Sequence, residues 1–195
     1  DIQTSETNVS DGDGIGKSTA EMKTKSTFTN ASWNFYDIWG IDVSINNGYP
    51  ELKWNGFYNT PVNVTNLTTS LTIMSNYNIG FTGDAPDISL QFIEYNSAPT
   101  NLPEGSVTID KHWDVSNIAG GNVKLRLYFP TSAIASFTGA SKIYHYTGGE
   151  WVMLPTEPIV TDGNDSYLEA TNYYNSFSPL IVGDADSPLP VELTT

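Results

Sequence analysis

From residue 62 onward the chain is a succession of short stretches in which apolar and polar side chains take turns, and this two-residue period most restricts its fold. Successive side chains on a strand point to opposite faces, so each stretch buries one face and wets the other. The clearest case is VKLRLYF at 123–129, where Val123, Leu125 and Leu127 alternate with Lys124 and Arg126. Further segments read the same way at 62–65, 69–74, 77–81, 88–95, 106–115, 142–146, 151–154, 166–170 and 176–182. Turn-forming Gly, Pro, Asn and Asp separate many of them, at Gly83 with Asp84 and at 99–105, 119–121, 147–149 and 162–165. Such a series predicts an antiparallel β-sandwich over 62–186, with helix in one short place at most, around 132–137.

Residues 14–54, ahead of that series, hold three of the five tryptophans, Trp33, Trp39 and Trp54. Ser18-Thr19-Ala20-Glu21 has the form of a capping box, in which a hydroxyl accepts from the amide three residues on and the Glu reaches back. A short helix over 19–25 is expected. From Trp33, the residues Phe35, Ile38, Trp39 and Ile41 come at strand-like spacing, which predicts that a sheet begins there. Asn46-Asn47-Gly48-Tyr49-Pro50 reads as a turn. Leu52 and Trp54 alternate with Lys53 as in a half-buried strand. Gly56, Asn59 and Pro61 then mark a linker, assigned to 57–61 between a first unit, 1–56, and the sandwich.

Gly16-Lys17-Ser18 invites comparison with a phosphate-binding loop, and spacing excludes it. Such a loop needs a glycine at position 11, where this chain has Asp11; Gly12 is one residue too close and no apolar strand leads in. A length of 195 residues allows one to two domains with a sizeable core. Eight Lys and Arg against 22 Asp and Glu leave a net charge of −14, with 8 acids and 4 bases in residues 1–60 and 14 and 4 in the remainder. That balance argues against nucleic acid or an anionic membrane as partner. The chain has no cysteine, which excludes a disulfide scaffold and thiolate metal sites. No apolar run is long enough to span a bilayer, and Asp1 heads no signal peptide.

Two family resemblances follow from longer motifs. GIGKSTAEMK, then STFTNASWNF, then WGID and INNGYPELKW resemble the segment that closes a run of GLUG-type repeats in large bacterial surface proteins. The resemblance implies that residues 1–56 are the end cap of a β-solenoid, and a solenoid end must cover its open backbone edge. Over the last hundred residues, PEGSVTIDKHWDV, VKLRLYFP, KIYHYTGGEWVMLPT, NSFSPLIVGD and PLPVELT together resemble the β-sandwich that precedes the sorting tail of type IX secreted proteins. That likeness implies export by a Gram-negative bacterium to its surface or surroundings, with 187–195 the start of the sorting tail or a linker, and the export machinery a partner. The combined expectation is a mainly β protein: a solenoid end cap with one short helix, followed by an antiparallel sandwich.

No HExxH, GxSxG or comparable nucleophile motif occurs, and His112 and His145 sit singly in predicted strands, where packing is the ordinary role. No enzymatic centre is expected. No cofactor is implied; calcium is the one candidate, since it takes oxygens from flexible acidic loops. Asp11 with Asp13, Asp162 with Asp165, and Asp184 with Asp186 have the needed density, although solvated turns use the same residues. Tyr144, Tyr146, Tyr173 and Tyr174 are candidate glycan contacts; adjacent tyrosines on a strand split between faces, so core packing is the alternative. The functional expectation is a non-enzymatic extracellular protein, part of a repeat adhesin or a fibre subunit. Its partners would be other surface proteins, glycans or neighbouring copies. The alternatives are an accessory module of a secreted peptidase or glycoside hydrolase, or a stand-alone calcium- or glycan-binding module.

Overall fold

The computed structural model describes residues 16–187. Two short helices open it in place of the one expected over 19–25, because Thr24 is extended and breaks the run: α1 (Thr19–Met22) and α2 (Lys25–Thr29), followed by a two-stranded ribbon of β1 (Trp39–Gly40) and β2 (Glu51–Leu52). The capping box is formed: the Glu21 amide donates to Ser18 Oγ at 3.3 Å, and the Ser18 amide donates to Glu21 Oε2 at 2.9 Å. The turn at 46–48 is present as one 3₁₀ turn, with Asn46, Asn47 and Gly48 all at positive φ.

Two expectations for this stretch are overturned. No sheet begins at Trp33, because the Asn34 side chain accepts from the amides of Tyr36 and Asp37, both at 2.9 Å, and folds 34–37 into a turn. Nor do residues 52–54 form a strand with the lysine outward. β2 stops at Leu52, a 3₁₀ turn takes Lys53–Asn55, and Lys53 is fully buried while Trp54 is 64 % exposed. The reason is electrostatic and lies in the partners of Lys53, described below.

The rest is antiparallel sheet, as the alternation predicts. The strands are β3 (Val62–Leu67), β4 (Thr72–Met74), β5 (Ile79–Gly83), β6 (Ile88–Tyr95), β7 (Thr108–Ala119), β8 (Val123–Pro130), β9 (Ser141–Thr147), β10 (Glu150–Met153), β11 (Val160–Asp162), β12 (Asp165–Glu169) and β13 (Phe177–Asp184). One sheet runs β10-β9-β13-β7-β6-β3 and the other β11-β12-β8-β5-β4. The short helix expected around 132–137 is a 3₁₀ turn at Thr131–Ile134.

The two sheets share one hydrophobic core, a sandwich-like arrangement. Ile88, Leu90 and Phe92 from β6 and Trp113 and Val115 from β7 meet Phe81, Leu125, Leu127 and Phe129 from the other sheet. Asn66, at positive φ, makes the register break that lets Leu67 as well as Val64 face inward from β3. A smaller cluster of Tyr144, Trp151 and Ile181 lies on the opposite face of the six-stranded sheet, covered by Ala98 and Leu102 and pinned where Trp151 Nε1 donates to the Asn101 carbonyl.

Residues 57–61, expected as a linker, place Phe57 in this core with no exposed surface. The ring lies against Gly40 of β1: a Cβ there would sit 2.4 Å from Phe57 Cε2. Gly40→Ala therefore overpacks a closed contact and should cost about 1–3 kcal/mol in chemical denaturation. An unchanged midpoint would show that the ribbon is free to move off Phe57. Among the described residues no helix is long and apolar enough to cross a membrane.

Candidate functional site

Two features stand out where residues 25–58 meet the sheets. The first is a cleft of about 800 Å³ between that segment and the β4–β5–β8 side of the second sheet. Trp33, Tyr128 and Ile73 give it apolar walls, and Asn34, Asp37 and Asp165 line it with polar groups. Lys25 also lines it, with Nζ 3.3 Å from the Ser75 carbonyl oxygen, and burial lowers the pKa of that amine. Of the three tryptophans in residues 14–54, Trp33 alone is in the cleft lining, its ring packed 4.4 Å from that of Trp39.

The second feature is a buried charge cluster beside the cleft. β6 turns Ile88, Leu90, Phe92 and then Glu94 inward; β7 turns Ile109, Lys111 and Trp113 inward. Both series carry one charge where the pattern calls for an apolar side chain. Glu94 Oε1 lies 3.0 Å from Lys111 Nζ, and Glu94 Oε2 lies 3.5 Å from Lys53 Nζ. Lys111 also meets Asp37 Oδ1 at 3.5 Å. The Asn78 side chain donates to Glu94 Oε1 at 2.8 Å.

The carbonyl oxygen of Tyr36 is the hub of this cluster. It accepts from Lys53 Nζ at 2.8 Å, Asn78 Nδ2 at 3.2 Å and Lys111 Nζ at 3.4 Å. Tyr58 Oη donates to the Asp37 carbonyl at 2.6 Å, and Lys111 Nζ rests over the rings of Tyr36 and Tyr58. The two lysines are thus held by carboxylates, carbonyls and ring faces that replace water. Desolvation still dominates for Lys53, whose pKa is lowered to about 8 although Glu94 opposes the fall.

Burial also raises the phenols of Tyr36 and Tyr58 well above their ordinary range and that of Tyr77 to about 12, with neighbouring carboxylates adding to each shift. An unfolded tyrosine loses its proton near pH 10, whereas these keep theirs when folded. Their contribution is therefore complete below pH 10 and is lost as pH rises through 10 and beyond. The melting temperature should fall steeply above pH 10, and a flat profile to pH 12 would contradict the burial of these rings.

The residues singled out from sequence do not converge. Asp11 and Asp13 lie outside the described residues. Asp162 and Asp165 face each other, exposed, at the tip of the β11–β12 hairpin. Asp184 is buried and its carboxylate accepts from the amides of Thr138 at 2.6 Å, Gly139 at 2.8 Å and Asp186 at 3.0 Å. These bonds hold its pKa down against desolvation and tie the 138–139 loop to β13. Asp184→Ala removes a charged acceptor from the three loop amides of Thr138, Gly139 and Asp186 and should cost about 1.5–3 kcal/mol in denaturant melts, with no shift counting against a structural role. Among the described residues no three His, Cys, Asp or Glu side chains are grouped to hold a metal ion.

The tyrosines divide between faces. Tyr144 is buried and Tyr146 half-buried against Trp151, with the Tyr146 and Trp151 ring centres 5.4 Å apart. Tyr173 is exposed, while Tyr174 packs on Phe177. His112 stacks on Tyr95, its Nδ1 at the Ser97 carbonyl, and His145 is half-buried, with burial lowering its pKa. Comparison of the chain with protein-family models, with curated proteins and with solved structures finds no match.

Proposed function

We propose that the chain is a non-enzymatic part of an extracellular surface protein: the closing element of a repeat adhesin or fibre, which joins a β-solenoid to a sandwich-like module exported through a type IX route. The observation that carries this reading is a concentration of exposed apolar side chains in the first part of the chain. Trp33, Ile38, Val43 and Trp54 account for half of the large hydrophobic side chains left exposed among the described residues, and all fall within 33–54. Isolated exposed apolar residues are ordinary, but this concentration suits a surface on which a preceding repeat stacks. The same segment is anchored to the sheets through Lys53 and Phe57, so a load on the repeats would pass into the sheets.

The reading is tested by treating intact cells that make the parent protein with a protease that does not enter them. The expected result is loss of epitopes in residues 62–187 without lysis; protection until lysis would overturn it. A second reading, a glycan-binding module, is favoured by the cleft, where Trp33 offers a partly exposed ring beside Asp37 and Asp165. Oligosaccharide binding by residues 16–187 that Trp33→Ala abolishes would support it. Absence of binding across a broad glycan set would remove it.

A further inference from the structure

We infer that the buried cluster is the site of a self-catalysed covalent cross-link, an amide between the Lys53 side chain and the side-chain carbonyl carbon of Asn78, formed with Glu94 as proton carrier. The inference stands on the cluster itself and is independent of the function proposed above.

Three observations supply the parts. Lys53 Nζ and Asn78 Nδ2 share one acceptor, the Tyr36 carbonyl oxygen, at 2.8 and 3.2 Å, so amine and amide are near neighbours. Glu94 bridges the same two groups, with Oε1 accepting from Asn78 Nδ2 at 2.8 Å and Oε2 3.5 Å from Lys53 Nζ. Oε2 has no hydrogen-bond partner, which leaves it free to take a proton. Lys53 and Glu94 are wholly buried and Asn78 is 8 % exposed, so water that would compete as nucleophile or solvate the ammonium is largely kept out.

The chemistry balances without an added reagent. Lys53 as free amine attacks Asn78 Cγ; the Nζ–Cγ bond forms and the Cγ–Nδ2 bond breaks. Counted from the ammonium, Lys53 gives one proton to Glu94 before the attack and a second as Nζ becomes the amide N–H; both pass to Nδ2, which departs as ammonium and carries away the positive charge. Desolvation already draws the Lys53 pKa to about 8, so a fraction of the order of a tenth is nucleophilic at pH 7. The flexible four-carbon stem closes the remaining gap to the roughly 3–3.5 Å from Cγ that attack requires.

Lys111, paired with both Glu94 and Asp37, remains as the counter-charge. Two buried ammonium groups share one buried carboxylate before the reaction, and one remains after it, which relieves a desolvation cost. The product ties the 3₁₀ turn Lys53–Asn55 to the residue just before β5. It serves as a staple in a chain that has no cysteine for a disulfide.

The test is the intact mass of the purified 195-residue chain. The folded protein should be lighter than its sequence by about 17 Da, the mass of one ammonia. Proteolysis should give a branched peptide joining Lys53 to Asn78. Asn78→Ala and Glu94→Gln should keep their full sequence mass, with near-ultraviolet circular dichroism confirming that Asn78→Ala is folded. Wild-type protein at full mass after prolonged incubation at pH 8 overturns the inference, and this measurement decides alone if a variant fails to fold. A loss that maps to a succinimide in an unbranched peptide, or to a branch from Lys111, overturns it as well.

Discussion

Glu94→Ala lowers stability by about 3–5 kcal/mol, because it leaves Lys53 and Lys111 buried with no carboxylate between them. For a chain of this length that corresponds to a fall in Tm of roughly 10 °C, and it is the largest effect expected of any single charge removal. The mechanism is distinguishable from simple loss of contacts. Lys53→Met costs less than Glu94→Ala, since Lys111 keeps both Glu94 and Asp37. The double variant Lys53→Met/Glu94→Ala is then less destabilised than the sum of the singles, by about 0.5–3 kcal/mol. Strict additivity in urea melts would mean that the three groups are not coupled.

Trp113→Ala is the second large effect, also about 3–5 kcal/mol. The indole is fully buried where β7 crosses the core, and its Nε1 donates to the Tyr77 carbonyl at 2.8 Å. Truncation opens a cavity among Phe92, Leu180 and their neighbours and also leaves that carbonyl short of a donor. Trp113→Phe fills most of the volume and so should recover about half of the loss, the rest reporting the hydrogen bond. Equal costs for the two variants would assign the whole effect to the bond.

Much of the sheet architecture was legible because strands with one wet face announce their period. Residues 88–95 form a strand with the bounds expected, and 123–129 is extended only by Pro130. β11 escaped notice because Val160, Thr161 and Asp162 are all exposed and too few to show alternation. Residues 33–41 misled for a different reason: their aromatic spacing is strand-like, but the Asn34 side chain competes for the backbone amides and wins locally.

The buried cluster was missed although its signal was present. Continuing the inward series Ile88, Leu90, Phe92 by two residues gives Glu94, and Lys111 falls between the inward-facing Ile109 and Trp113. Opposite charges at inward register positions on successive strands call for each other. Lys53 was harder, since its position between Leu52 and Trp54 assigns it to water; only the distant Glu94 and Tyr36 carbonyl reverse that assignment. What marks the three acidic pairs and four tyrosines in the sequence is local density, a property that does not bring residues together across a fold.

Native-state amide hydrogen exchange puts the joint between the first part of the chain and the sheets to the test. The amides of Phe57, bonded to the Lys53 carbonyl, and of Asn59, bonded to the Glu94 carbonyl, should open with the same free energy as those of Phe92 and Trp113 in the core strands. Exchange at Phe57 and Asn59 that is orders of magnitude faster, while β6 and β7 stay protected, would show that residues 36–58 detach on their own, and the account of a single anchored unit would fail.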